Sequence, residues 1–465
     1  MGRKKIFAEN VTVGPFAAEG KCIVKVNEKV TFVEGVAPGD VIDLRVTRRK
    51  KSYQEAIATR IIEYSKERAT PFCDHYGLCG GCKWQHLLYE KQLEFKRQQV
   101  IDSLERIASI PFPEVKPALP SPKTKYYRNK LEFTFSPKRW LTNEEIQSGK
   151  KYNRNCLGFH LPGRFDKIMD IEQCFLQPEP SNEIRNEIRT YAHAHDLSFY
   201  NLNTHEGFLR NLIIRTSTTG STMVIIQVGE SQPETLEKLM THLLKKFPGI
   251  NSLYYVVNQK KNETFHDQET ILFHGEEYIS ENIDDLKFRI GPKSFFQTNP
   301  EQAAILYKHA MAFAKLTGKE TVYDLYSGTG TIAIYMAKNA KKVIGIENIL
   351  EAVEDAKINA KINKIENVEF ILGDIKDSLR SEITKKYGLP DLVVLDPPRS
   401  GLHPDVTESL INLSAHRIVY ISCNPATQAR DLKLLSKKYR IEAVQPVDMF
   451  PHTQHVENIV SLILL

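Results

Sequence analysis

The chain has no run of about 18 apolar residues, so no helical membrane span is expected. No apolar signal core follows Met1-Gly2-Arg3-Lys4-Lys5, and Ile6 stands where myristoylation at Gly2 needs Ser or Thr. The expected location is cytoplasmic, with no membrane partner. Cysteine is scarce, seven among 465 residues. Without export these read as free thiols or metal ligands, not disulfides. Internal repeats and long low-complexity tracts are absent. A strong excess of one charge is absent too, with 63 Lys or Arg against 57 Asp or Glu. The small surplus is concentrated: residues 1–70 hold 14 Lys or Arg and 9 Asp or Glu. A basic terminal module on a near-neutral body fits a polyanion partner or, more blandly, a solvated lysine-rich face.

What is present divides into three expected domains, 1–65, 66–290 and 291–465. Residues 6–63 alternate in short β-type runs (23–26, 30–33, 41–46, 55–62) separated by turns such as Pro38-Gly39-Asp40, the pattern of a small barrel. Arg48-Arg49-Lys50-Lys51 falls between two of them, where such barrels bind single-stranded nucleic acid. A helix is expected over 86–108. The middle is mixed α+β, with strand-like runs at 130–135, 211–215, 223–228 and 252–257. From about 300 the order becomes strand, helix, strand, which is a doubly wound sheet with a ligand crevice at its carboxyl edge.

The loop Asp324-Leu325-Tyr326-Ser327-Gly328-Thr329-Gly330 joins a strand to a helix starting at Thr331. Its glycines allow a sharp turn close to a ligand. The next strand ends in Glu347, which can accept both ribose hydroxyls. The loop has neither the third glycine of a dinucleotide site nor the Lys of a phosphate loop. A ligand with adenosine but no pyrophosphate fits, which points to S-adenosylmethionine. Asp374 can reach the adenine or cap a helix.

Ser422-Cys423-Asn424-Pro425 puts a thiol at a strand end, just before a helix start that favours thiolate. Carbon 5 of a pyrimidine is a poor nucleophile. A thiolate adding to carbon 6 makes an enolate whose carbon 5 can attack a sulfonium methyl. A base must then take the carbon-5 proton so that the cysteine leaves. Glu457 suits that base, with His452 and His455 as alternatives. Taken alone, a cysteine in the position of Cys423 is more often a packed strand-end thiol. Asp396-Pro397-Pro398 is similar to the loop of amino-group methyltransferases, but Arg399 replaces their aromatic. That leaves Asp396 to hydrogen-bond base or cofactor. Gln297 can bind the cofactor, and Phe296 can pack on the base. Separately, Cys73, Cys79 and Cys82 lie within ten residues on a Gly-bearing loop. With Cys174 or Cys156 as a fourth ligand they suit zinc or an iron–sulfur cluster. Cys22 reads as core.

Together these motifs resemble the RNA uracil-5-methyltransferase family, in its bacterial 23S ribosomal RNA branch, over nearly the whole chain. The resemblance implies a Rossmann-like class I methyltransferase domain, an N-terminal OB-like TRAM barrel and an α+β central domain. It implies S-adenosylmethionine and a [4Fe-4S] cluster as cofactors, and RNA as partner. Cys423 matches the family nucleophile and Glu457 the base. Gln297, Tyr326, Thr331, Glu347, Asp374 and Asp396 match cofactor or substrate positions. Asp170-Ile171-Glu172-Gln173-Cys174 matches the setting of the fourth cluster ligand, which selects Cys174. Thr331 departs from the family's usual Asn, and Ser327 from its Cys. The barrel and cluster favour ribosomal RNA over transfer RNA. An amino-group methyltransferase and a non-catalytic RNA-binding protein are the rivals. A monomer is expected.

Overall fold

The computed structural model describes residues 6–379 and 382–465; Arg3, Lys4 and Lys5 of the basic start lie outside them. The alternating runs form five strands: β1 (Phe7–Thr12), β2 (Cys22–Val26), β3 (Lys29–Glu34), β4 (Val41–Arg49) and β5 (Tyr53–Glu63). They join in the order β1-β4-β5-β3-β2. Every second residue, Val24 and Val26, Ile42, Leu44 and Val46, turns into one core, because side chains alternate across a strand. The sheet curls into a half-barrel in which the edge strands β1 and β2 approach. Cys22 is buried there, its thiol facing Val36 O at 3.4 Å. Arg48, Arg49, Lys50 and Lys51 are exposed at the β4–β5 hairpin.

Helix α1 (Tyr89–Ser103) continues as one π-type turn, Leu104–Ala108, and stops at Ser109 with φ 52°. Its buried side is unusually polar, comprising Gln92, Lys96, Val100 and Ser103.

The middle sheet has seven strands: β6 (Lys130–Ser136), β7 (Cys156–Leu161), β8 (Arg164–Asp170), β9 (Leu209–Thr216), β10 (Thr222–Val228), β11 (Ser252–Val257) and β12 (Ile271–Gly275). Their order is β12-β11-β10-β9-β6-β7-β8. A short helix, α2 (Asn143–Gln147), precedes β7. Helices α3 (Ser181–Ala194) and α4 (Pro233–Lys246) cover one face through Ile184, Ile188, Leu239 and Leu243. The other face, Ile213, Met223, Ile225 and Val256, packs into the core of the last third of the chain. Burial on both faces is why β9 and β10 are continuous apolar runs. The hairpin β13 (Ile279–Ile283) and β14 (Leu286–Ile290) joins that same core.

The last third runs α5 (Pro300–Ala314), β15 (Thr321–Leu325), α6 (Thr331–Ala337), β16 (Lys342–Glu347), α7 (Leu350–Ile362), β17 (Val368–Leu372), α8 (Ile375–Ser378), α9 (Glu382–Tyr387), β18 (Leu392–Leu395), α10 (Pro404–Leu413), β19 (Arg417–Ser422), α11 (Pro425–Leu435), β20 (Tyr439–Val447) and β21 (Glu457–Leu464). The sheet order is β17-β16-β15-β18-β19-β21-β20. The first five strands in that order are parallel, and β21 is antiparallel to β19 and β20. This is the doubly wound sheet expected, with the order reversing beside β15, where such sheets open a crevice.

Candidate active site

Tyr326, Glu347, Asp374, Asp396 and Cys423 all follow or end parallel strands, so they gather at one carboxyl edge. Glu457 reaches the same edge from the opposite direction, because it begins the antiparallel β21. The β19–β21 register pairs Ser422 with Asn458, which sets Cys423 beside Glu457.

The cofactor-type loop turns on Tyr326, held at φ 67°, with Gly328 and Gly330 also at positive φ. A Cβ on Gly330 would meet Phe370 at 2.7 Å and Ala356 at 2.9 Å, so this close approach excludes any larger residue. Glu347 closes the loop. It accepts Gly328 N at 2.9 Å through one oxygen, and Asn348 N at 2.8 Å and Ile349 N at 3.0 Å through the other. Tyr326, Glu347 and Asp374 line one cavity of about 180 Å³ with Asn348, Ile375, Lys376, His403 and Val406. Asp374 also accepts Lys376 N at 2.9 Å, so both of its expected roles have a physical basis. The Thr331 hydroxyl lies 3.3 Å from that of buried Tyr307. Gln297 is half-buried, and its backbone carbonyl accepts Asn129 Nδ2 at 3.2 Å.

Three buried carboxyls with raised values converge on this edge. Burial pushes Glu457 up to about 8, with the Asp396 charge adding and Arg399 opposing. Burial raises Asp396 to about 7. Asp324, buried at the foot of the loop, is raised well above the usual range by burial and by Asp396. Cys423 is half-buried, and burial pushes its thiol up to about 11; Glu457 and Asp396 add to that, and Arg399 opposes it. This reverses the expectation of a thiolate favoured by the α11 dipole. The helix does start at Pro425, but two nearby carboxyls and burial outweigh it. Arg399, noted in the sequence only as a missing aromatic, is the cation that acts on both Cys423 and Glu457.

Cys423, Arg399 and His455 open into a cleft of about 990 Å³ whose far walls come from the half-barrel (Phe16, Glu19) and from α1 (Phe95, Gln99). His455 is kept neutral, its value lowered to about 4 by burial and by surrounding cations. His452 faces away: its Nδ1 lies 3.2 Å from Gln92 Nε2 on α1. Phe296 is 5 % exposed and packs against Phe288 in the core, so its expected place on the base is overturned. Its neighbour Phe295 is 69 % exposed, with its carbonyl 3.3 Å from the Thr329 hydroxyl of the cofactor loop. Two adjacent phenylalanines cannot be told apart by pattern.

Cys73, Cys79, Cys82 and Cys174 line a second cavity, of about 220 Å³. Gly80 is required there, since a Cβ would meet His160 O at 2.7 Å. Cys174 is anchored by Asn182, which accepts its N–H at 2.8 Å and donates to its carbonyl at 3.2 Å. Burial raises all four thiols, and each of Cys79, Cys82 and Cys174 is close enough to others of the set to raise it further. Cys156 is elsewhere, its thiol against Ser136 O. Among the described residues no three His, Cys, Asp or Glu side chains are gathered tightly enough to hold a single metal ion.

The sheet order and the loop after β15 define a Rossmann-like α/β domain. Residues 266–464 match the family model for tRNA (uracil-5-)-methyltransferase. A protein described as an uncharacterized RNA methyltransferase of Bacteroides thetaiotaomicron is 55% identical over 96% of this chain and 99% of its own. One of the same description from Porphyromonas gingivalis is 48% identical over 96% and 98%. In three dimensions the tRNA (uracil-54, C5)-methyltransferase of Pyrococcus abyssi, solved with S-adenosyl-L-homocysteine, superposes with a TM-score of 0.74 at 30% identity, covering 97% of this chain and 100% of its own. The chain belongs to the RNA uracil-5-methyltransferase family and is an RNA-methylating enzyme.

Proposed function

We propose that this enzyme transfers a methyl group from S-adenosylmethionine to carbon 5 of a uridine in 23S ribosomal RNA, with Cys423 as nucleophile and Glu457 as base. The observation that carries the reading is a thiol and a buried carboxyl side by side at the sheet edge, set there by the Ser422–Asn458 pairing. In this reading Cys423 Sγ bonds carbon 6, and carbon 5 takes the methyl. Glu457 removes the carbon-5 proton, the electron pair restores the 5,6 double bond, and the thiolate leaves. The bonding carbon must face the sulfur, so the uridine is turned out of its stack. Arg399, beside both Cys423 and Glu457, favours the thiolate and the carboxylate that the reaction needs.

For the cofactor, the cavity bounded by Tyr326, Glu347 and Asp374 is the adenosine site of this reading. Gln297, Thr331 and Asp396 are assigned to the methionine half and to the reacting base. The half-barrel, with its exposed Arg48–Lys51 turn, is the TRAM-like RNA arm of a cytoplasmic monomer.

Cys73, Cys79, Cys82 and Cys174 are assigned to a [4Fe-4S] cluster. Four thiols, with no carboxylate among the lining residues, form a donor set that fits it. When bound, it supplies a cross-link between the 73–82 loop and the turn at Cys174.

Transfer RNA is the second reading, favoured by the whole-chain similarity to an enzyme whose stated substrate is transfer RNA. Incubating the enzyme with 5-fluorouridine-substituted 23S RNA and, separately, substituted transfer RNA tests both. An SDS-stable adduct through Cys423 is expected with ribosomal RNA. An adduct only with transfer RNA transfers the assignment, and none with either refutes the covalent mechanism.

A further inference from the structure

We propose that Gln92, Lys96 and Asp448 form a clamp whose work is to position Glu457, and that these three are positioning residues for the proton-removing step. The inference rests on the reading of Glu457 as base. Residues 448–456, which deliver Glu457 to the sheet edge, contain no helix or strand. A segment of that kind has no ladder to fix it, yet Asp448, Met449, Pro451, His452, Thr453 and Val456 are all buried. Their order comes from outside, mainly from α1, more than 350 residues earlier in the chain.

Lys96 is fully buried on α1, its ammonium out of reach of bulk solvent. It donates to Asp448 Oδ1 at 2.5 Å and to Phe450 O at 3.1 Å. Asp448, equally buried, also accepts Tyr89 OH at 2.9 Å and Phe450 N at 3.1 Å. One turn earlier on α1, Gln92 accepts His452 N at 2.8 Å, and its amide donates to Trp84 O at 3.0 Å and Leu87 O at 3.1 Å. His452 is held at φ 64°, a conformation that a bulky residue keeps only when its neighbours enforce it. Its carbonyl accepts both Lys83 N and Trp84 N at 2.9 Å, the two residues that follow Cys82. The segment is thus pinned at 448, 450 and 452, and five residues later the carboxyl enters β21.

A buried ion pair is weak evidence for stability, since apolar residues of like volume do as well. What a charged pair adds is a single allowed register. Proton removal from carbon 5 needs a carboxylate oxygen within hydrogen-bond reach, and misplacement by about 1 Å costs roughly 100-fold. Methyl transfer itself precedes that step. Loosening the clamp should therefore slow release of the methylated adduct more than its formation.

The test uses the full chain with in vitro-transcribed 23S and transfer RNA and methyl-labelled S-adenosylmethionine. The variants are Gln92→Leu and the charge-removing pair Lys96→Met with Asp448→Leu, and Glu457→Gln is the reference. Turnover in each should fall about 10- to 100-fold, with KM for RNA changed less than about twofold. The fraction of label in an SDS-stable protein–RNA band should rise, as in Glu457→Gln. If the double variant does not fold, Gln92→Leu, which removes only uncharged contacts, carries the same readout. Lower turnover with no rise in the band, or unchanged turnover, overturns the clamp while leaving the base in place. Absence of the band in Glu457→Gln removes the base assignment, and the clamp falls with it.

Discussion

Cys423 and the Cys73–Cys174 group show two opposite ways of placing sulfur. Cys423 stands alone at the end of β19, and backbone pairing with β21 sets its neighbour Glu457 without any bond between the side chains. The other four sit on irregular loops, where only turns such as Gly80 against His160 O and the Asn182 bracket hold them. A sheet edge positions a single group by its ladder; a loop needs a cross-link to do the same. In the proposed function, the first arrangement leaves the thiol free to react, and the second commits its thiols to structure.

Substituting in each place should break this comparison most sharply. Cys423→Ala should cut methyl transfer by more than about 10³-fold with the Tm unchanged, as expected for a group that acts only in the reaction. Cys79→Ser should do the reverse. The cross-link would be lost, the visible absorbance of the anaerobically purified protein would disappear, and stability would fall on the order of 3 kcal/mol. Activity lost equally in both, with no change in Tm for Cys79→Ser, would mean that the loop cysteines take part in the chemistry.

The same contrast extends to pH. Glu457 has a folded value of about 8 against 4.5 for an ordinary glutamate. Its folded pKa is raised, so its contribution to stability is complete below about 4.5 and is lost as pH rises through about 8. Glu457→Gln should accordingly raise the Tm at pH 9 and leave it nearly unchanged at pH 4.5, measured by calorimetry. Proton removal follows methyl transfer and needs the ionised carboxyl, so kcat of the unmodified enzyme should climb from pH 6 towards pH 9. A flat profile across that range would exclude Glu457 as the group that titrates.

Much of this was legible in the sequence, for a physical reason. Strands buried on both faces are unbroken apolar runs, so the strand, helix, strand order of the last third was readable and matches the observed elements. Site residues follow such runs, which is why Cys423, Asp396 and Glu347 could be placed on one edge. The strand β1 was missed because it is an exposed edge strand with little alternation. The π-type end of α1 was missed because a helical period does not reveal a widened turn. The Lys96–Asp448 pair could not be read at all, since it joins residues 352 positions apart. The direction of the Cys423 shift was also beyond reach: local sequence shows the helix start, but not the burial that, with the two carboxyls, outweighs it.

Asp374 gives the smallest effect and the finest discrimination. Its Oδ1 accepts Lys376 N at 2.9 Å, which is the geometry of a cap, while the side chain also borders the cavity assigned to adenosine. Asn caps a helix about as well as Asp, because either offers an oxygen to the free backbone donor. Asp374→Asn therefore keeps the cap and removes only the charge. Stability should stay within about 0.5 kcal/mol. S-adenosylmethionine should bind more weakly, by about three- to tenfold, because a hydrogen bond to a charged acceptor is roughly twice as strong as one to a neutral acceptor. Calorimetric titration reads the affinity and thermal melting reads the cap. Unchanged affinity would assign Asp374 to the turn alone and leave Glu347 and Tyr326 to hold the nucleoside.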